Sequence, residues 1–542
     1  MATAARKWRV AAGFLVLGAA NAAAQYAPGA PAPGTVPSTP GERREASTDS
    51  ASRAARSTSP WAVTTSIDLR GTYSDNVFVE SETPRSDFVT QVTPGIRVDG
   101  RSPRLAAHLS YAPSALFYSR NTEANDVANF LDAAANLEAV ERFFFLEGSA
   151  NVSQGFITPA AAQPTELVTI TQNRVETRTA SVSPYVRREG RDLEYELRNR
   201  NTWTNSDRDE LGKFRTRQWT GHVAGPVRRF GWSLEFDDIT ITHDDATVNR
   251  PEDKSTLYRG RLHWQAAPAL RLSVSGGSEE NNYILQQEQR TDIYGAALAW
   301  RPSPRTSADL EYEHRFFGPY KLARFTHRTR LTAWNLTYSR NTSTYQEEIL
   351  RLSPGNTTAL LDEAFAGRVP DPAQRAAAVE QFQRATGTPA SLTNSLAFYT
   401  QRVYVREFVE ASFAIIGVRN SITFTAFAAD NSEISADALG ALPDALLFAT
   451  RIKHHGFGAH ADHRLTPLMS ISANATRINS KQEEPADFAT RDDYVNLRLT
   501  YTASRKTYFY AGVSLSRFHT DNPAFSPNWD ANSVFAGLNH RF

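Results

Sequence analysis

Val495-Asn496-Leu497-Arg498-Leu499-Thr500-Tyr501 alternates apolar and polar residues before the turn Ala503-Ser504-Arg505-Lys506. Successive side chains of a strand point to opposite faces, so Val495, Leu497, Leu499 and Tyr501 share one face and Asn496, Arg498 and Thr500 the other. The pattern recurs from Trp61 to the end. Met469, Ile471, Ala473 and Ala475 oppose Ser470, Ser472, Asn474 and Thr476. Leu310 and Tyr312 oppose Asp309, Glu311, Glu313 and Arg315. Leu193, Tyr195 and Leu197 oppose Glu194, Glu196, Arg198 and Arg200, and Tyr258, Leu262 and Trp264 oppose Arg259, Arg261 and His263. A soluble sandwich alternates too, but its strands cluster near five or six residues, whereas a tilted membrane strand needs about nine to eleven. The segments here run to about ten to fifteen, and their polar faces carry both charge signs, which a dry core rejects and a water-filled lumen accepts.

The connections keep a rhythm. Gly100-Arg101-Ser102-Pro103, Arg188-Glu189-Gly190-Arg191, Arg301-Pro302-Ser303-Pro304 and Ala503–Lys506 are short. Between them lie longer polar stretches: Ser119–Asp126, Phe156–Arg174, His243–Ser255, Asn431–Leu447 and Thr520–Asn528. Short turns at one end and long loops at the other describe a transmembrane barrel with the short side periplasmic. The sequence therefore predicts an all-β fold, a large antiparallel transmembrane β-barrel of about 20–22 strands. Even parity favours two strands, Leu322–Arg330 and Trp334–Thr344, where the alternation changes phase, although a bulge would give the same slip. Trp61, Trp203, Trp232, Trp264, Trp300 and Trp334 sit near strand ends, as interfacial girdles do.

Ahead of the strands, Arg6, Lys7 and Arg9 precede an apolar run from Val10 to Ala20, and Ala22 and Ala24 offer small residues for cleavage before Gln25. Residues 1–24 are read as a secretory signal peptide, too short in its apolar part to span a membrane. Residues 25–60, with Ala30-Pro31-Ala32-Pro33-Gly34, are expected to form a disordered periplasmic tail, too short for a lumen-filling domain. The barrel then occupies 61–542. With 59 Lys plus Arg against 58 Asp plus Glu there is no global basic field, so nucleic acid is not an expected partner. Cysteine is absent, which removes disulfides and thiolate chemistry.

One junction breaks the rhythm. Leu350–Leu396 reads as a long, partly helical loop, with Asp371 as N-cap, Pro372 at the first helical position, a helix through Arg384 and Gly387 closing it. It is expected either to enter the lumen as a constriction or to lie outside as a flap or cap. At the other extreme Gly537, Leu538, His540 and Phe542 form a terminal strand segment. Val534, Ala536, Leu538 and Phe542 share a face, and the segment resembles the signal by which the barrel-assembly machinery takes up its clients. His540 departs from the apolar residue more usual there.

Candidate chemistry is sparse. Along one strand His455 and His463 face one way and His454 and His460 the other, six to eight residues apart. Polar lining or rim positions therefore explain them better than a shared metal ion. No Gly-x-Ser-x-Gly, phosphate-cradling loop or His-Glu-x-x-His is present, and neither cofactor nor catalytic residue is assigned. The expected lumen-lining residues are Glu194, Glu196, Arg198, Arg200, Arg259, Arg261, Asp309, Glu311, Glu313, Arg324, Arg328, Arg330 and Arg498. Asp309/Glu311/Glu313 and Arg324/Arg328/Arg330 would face each other as charged walls, or compensate within a hydrated interior, the reading preferred.

Thr72-Tyr73-Ser74-Asp75-Asn76-Val77 and Ser86-Asp87-Phe88-Val89-Thr90-Gln91-Val92-Thr93-Pro94-Gly95-Ile96 resemble the opening strand pair of the outer-membrane proteins associated with the PEP-CTERM/exosortase system. Gly417-Val418-Arg419-Asn420-Ser421 is similar to a late turn of that family. The resemblance implies a barrel associated with exopolysaccharide and its export proteins, and it carries no catalytic residues. The leading expectation is a non-enzymatic pore or conduit in the outer membrane, in contact with its lipid. A sealed structural or adhesion barrel and a barrel-embedded lipid or glycan hydrolase are the alternatives.

Overall fold

In the computed structural model, residues 61–158, 161–208, 213–244, 252–284, 288–344, 355–393, 403–434, 451–483, 487–523 and 526–542 are described. The leader 1–24, the tail 25–60 and the cleavage residues Ala22 and Ala24 lie outside them.

The strands form one antiparallel sheet that closes on itself, because Trp61–Ser74 pairs with Asp87–Arg101 on one side and with Trp529–Arg541 on the other. Closure leaves no edge with unpaired backbone groups, which is what hydrocarbon demands. Two strands are interrupted. Leu105–Tyr111 and Ser114–Tyr118 both pair with Asp87–Arg101, broken at Ala112-Pro113, where proline supplies no donor. Asp126–Ala128 and Leu131–Val140 follow them in register. The circumference is therefore 22 strands, within the expected count. The uninterrupted strands run from 10 to 16 residues, enough to cross the apolar slab with a tilt.

The polarity of the wall is inverted relative to a soluble protein. Val495, Leu497, Leu499 and Tyr501 are exposed on the outside, and Thr500 between them is buried. Fully buried positions include Glu313, Ser74, Asp87 and Ser114, all polar. Trp61, Trp203, Trp232, Trp264, Trp300 and Trp334 are each 39–47 % exposed on the outer surface. Trp334 stacks on Phe413 at 5.2 Å and Phe413 leans on Phe424 at 5.6 Å, continuing the belt along one rim. Strands of 10–16 residues with an apolar outside, a charged inside and aromatic rims make this a barrel of outer-membrane type.

Short turns and both strand-bearing ends share one rim, and the longer loops share the other. The hairpin expected near Ala333 is real, with strands Gly318–Arg328 and Thr332–Ser343. Its first strand begins earlier than the alternation suggested. Arg315-Phe316-Phe317-Gly318 makes a tight turn at the long-loop rim, with Gly318 at φ 98°, a conformation that favours glycine.

The terminal segment has both faces accounted for. Leu538 and His540 point outward, His540 Nδ1 bonding Thr507 Oγ1 at 2.8 Å. Phe542 is exposed, its N–H donates to Thr65 O at 3.0 Å, and its ring meets His540 at 4.9 Å. Gly537 faces inward, and a Cβ there would lie 2.6 Å from the Tyr510 ring, so packing against Tyr510 requires this glycine.

Candidate functional site

Part of the inner wall carries a network of its own charges. Arg198 pairs with Glu147 at 2.7 Å and Glu196 at 3.0 Å, and Arg200 pairs with Glu147 at 3.0 Å. Further round, Arg259 binds Glu235 and reaches Glu313 at 2.9 Å, Arg261 binds Glu311, and Arg315 binds Glu279 at 2.9 Å. Arg259 and Glu313 lie on strands separated by two others, yet they meet, because the intervening inner positions include Gly277 and Gly295. A Cβ at Gly295 would stand 2.5 Å from Glu313 Cγ. The glycines clear the path along which the guanidinium and the carboxylate meet.

The lumen-lining residues read from sequence are placed as follows. Glu194, Glu196, Arg198, Arg200, Arg259, Arg261, Glu311 and Glu313 lie on inner faces within this network; Glu194 reaches His222 at 3.7 Å. Asp309 pairs with Arg301 at 3.2 Å and stands opposite Arg324 in register. Arg328 reaches Glu363 of the long loop at 3.4 Å. Arg330 is a correction: it lies beyond the strand, in the turn before Thr332, where its carbonyl accepts from Arg368 at 3.0 Å. The charges interleave, with Glu311 and Glu313 met by Arg259 and Arg261 rather than by Arg328 or Arg330, an arrangement of mutual compensation rather than of facing walls.

The long loop enters the barrel. Its described part, 355–393, holds α1 (Thr357–Phe365) and α2 (Pro372–Thr386). α2 has the caps read from sequence: Asp371 accepts from Gln374 N at 2.8 Å, and Gly387 takes φ 72°. α1, which the sequence reading did not find, is capped by Asn356 accepting from Ala359 N at 2.9 Å. Leu360, Leu361 and Val379 bury against Ala333, Ala414 and Ile416, an apolar seat on the inner wall. Each such buried side chain stabilises the seat by about 1.5–3 kcal/mol. Across the lumen Glu380 is held by Arg97 at 3.1 Å, Arg541 at 3.3 Å and Arg384 at 2.9 Å. The loop thus links the wall at Thr332–Ser343 and Tyr404–Ile416 to the wall at Trp529–Arg541 and Asp87–Arg101.

A second loop dips in beside it. Arg174 donates to the carbonyls of Pro164, Glu166, Leu167 and Thr169 at 2.9–3.1 Å, folding the segment around one guanidinium. Glu166 at its tip makes a two-pronged ion pair with Arg70 of the first strand, at 3.0 and 3.1 Å. The sequence reading took this loop as external.

Between the two loops and the wall built from the last and first strands lies a cavity of about 230 Å³. Arg498 is expected from sequence as a lumen-lining residue and His460 as a polar lining or rim histidine, and Asn474 lies on a polar strand face; Arg70, Tyr494 and Tyr510 are not singled out by the sequence. Their signal was inner-face parity, as in Tyr508/Tyr510 against Phe509. The Arg498 guanidinium lies 4.1 Å over the Tyr510 ring, and Tyr510 donates to Asp68 at 2.7 Å. His460 is 2 % exposed and both its ring nitrogens lack a hydrogen-bond partner, as do Asn474 Oδ1 and Arg498 Nε.

The histidines obey the parity read from sequence, with His454 and His460 inside and His455 outside. Among the described residues no group of three or more His, Cys, Asp or Glu is placed to hold a metal. Ser480 Oγ sits 2.8 Å from His454 Nδ1, and among the described residues His454 Nε2 has no hydrogen-bond partner, whereas a nucleophile's base is oriented by a third group.

No protein-family model matches the chain, and comparison with curated proteins finds no match. Solved structures that resemble it include the siderophore receptor PirA from Pseudomonas aeruginosa, at 9 % identity and TM-score 0.39, covering 89 % of this chain and 80 % of that one. A mutant of the ferric enterobactin receptor PfeA from the same organism matches at 10 % identity and TM-score 0.40, over 89 % and 80 %. The FrpB iron transporter from Neisseria meningitidis matches at 11 % and 0.36, over 88 % and 82 %.

Proposed function

We propose that this barrel is a narrow, non-enzymatic conduit of the outer membrane for a glycan, with its short turns and both ends in the periplasm. The observation that carries the reading is the lined cavity between the two inward loops. Amide, hydroxyl and guanidinium groups alternate there with Tyr494, Tyr510 and Phe535, the mixture that meets a sugar's hydroxyls and its apolar faces. The PEP-CTERM/exosortase resemblance at Thr72–Val77 and Ser86–Ile96 supports exopolysaccharide as the glycan, and export proteins and the barrel-assembly machinery as partners. The 355–393 segment acts as the constriction.

The Glu380 clamp favours a second reading, a sealed barrel whose surface loops serve adhesion. Flux decides between them. Liposomes carrying the full chain, or a chain with 355–393 replaced by a short Gly/Ser linker, are loaded with labelled oligosaccharide. The conduit reading expects measurable release from the full chain and faster release from the deletion. Release from the deletion alone supports the sealed barrel, and release from neither refutes the conduit.

A further inference from the structure

The unsatisfied groups of the cavity specify more than a sugar. Arg498 Nε needs an acceptor, Asn474 Oδ1 needs a donor, and His460, with one protonated and one bare nitrogen when neutral, needs one of each. These groups are neighbours in register: His460 stands opposite Asn474, Asn474 opposite Asn496, and Arg498 opposite Ser472 one same-face step away. That step is about 7 Å along a strand, comparable to one pyranose ring with its substituents.

Charge selects among sugars. Of the lining guanidinium groups, Arg70 is paired with Glu166 and Arg384 with Glu380. Arg498 has no carboxylate at ion-pair distance among the described residues. The carboxylate that acts on it, Asp68, is itself held by Tyr510 at 2.7 Å and Asn539 at 3.2 Å. Tyr508 also bonds Arg498, without supplying charge. Nearby, Arg384 and Arg541 share Glu380, while Arg97 divides between Glu380 and Asp99, so these carboxylates are already engaged and none is left to turn to Arg498. Arg498 is half-buried with its Nε shielded from solvent and unpartnered, so a ligand carboxylate gains a charge-assisted hydrogen bond there.

Building on the glycan reading, we infer that the cavity is a binding subsite for a carboxylated sugar unit, with the carboxylate on Arg498 and ring hydroxyls on Asn474 and His460. A bare anion offers no hydroxyl to Asn474, and a neutral sugar offers no charge to Arg498. The volume, below the roughly 300–1,000 Å³ of sites for drug-sized ligands, admits about one ring at a time.

The test is calorimetric titration of the full chain in lipid nanodiscs with a uronic-acid disaccharide, a matched neutral disaccharide and acetate. The acidic disaccharide is expected to bind at least about tenfold tighter than the neutral one. Arg498→Gln should bring acidic and neutral disaccharides to equal affinity, and Arg498→Lys should retain part of the preference. Heat-modifiable migration checks that each variant is folded. Equal binding of acidic and neutral sugars to the native chain, or a preference that survives Arg498→Gln, overturns the subsite but leaves the glycan reading standing. Acetate binding as tightly as the disaccharide overturns it in favour of a plain anion site. Failure of every sugar to bind sinks both.

Discussion

The buried charge network yields a prediction in which two partners of one ion pair differ in their effect. Glu313 is fully buried and accepts from Arg259 at 2.9 and 3.1 Å, Arg315 at 3.4 Å, Arg261 at 3.5 Å and Ser275 at 2.9 Å. Each of those arginines has a second carboxylate: Glu235, Glu279 or Glu311. Glu313→Gln therefore leaves three guanidinium groups facing three carboxylates, and the amide oxygen still accepts. The cost is the difference between charged and neutral hydrogen bonds, about 1 kcal/mol. Arg259→Met removes the cation that holds Glu235 and weakens the hold on Glu313, leaving carboxylates uncompensated inside the wall, at about 3–5 kcal/mol. Reversible urea unfolding of the barrel in lipid vesicles, followed by tryptophan fluorescence, should place Arg259→Met at least about 2 kcal/mol below Glu313→Gln. Equal costs, or a more damaging Glu313→Gln, would refute the charge count.

Three further outcomes are expected. Leu497→Arg, on the lipid face, should destabilise the barrel by about 2–4 kcal/mol at mid-depth, while Asn496→Arg on the inner face costs much less; the same urea titration compares them. Gly295→Ala puts a Cβ against Glu313 and the Tyr312 carbonyl and should cost about 1–3 kcal/mol, read from the unfolding midpoint, with Ala297→Gly as a milder control. Arg174→Ala releases the four carbonyls that shape the second loop, so limited proteolysis should cut within 161–173 at least several-fold faster; an unchanged rate would mean the loop is held elsewhere.

The faces of the strands were legible because period two and a lipid exterior leave little choice, as Val495–Tyr501 illustrates. The caps of α2 were legible for the same reason: Asp371, Pro372 and Gly387 act through local geometry. The direction of the long loop was not, because its length says nothing about which side of the rim it takes. A sign was present in Ala333, Ala414 and Ile416, apolar residues at inner-face parity, which mark a seat. α1 escaped because Thr357 and Thr358 open it and it is only nine residues long. The meeting of Arg259 with Glu313 depends on register across four strands, and that of Arg70 with Glu166 on a loop fold. Neither is written in any local pattern. Arg498 and His460 were legible as lining residues but their meeting in one cavity was not, since parity identifies an inner residue without identifying its neighbours.

The most direct measurement is single-channel conductance in planar bilayers of the full chain beside the 355–393 deletion, with Glu380→Ala as an intermediate. The account predicts small steps for the full chain, larger or more frequent openings once Glu380 no longer meets Arg97 and Arg541, and the largest steps for the deletion. Identical conductance in all three would contradict a loop that crosses the lumen and closes it.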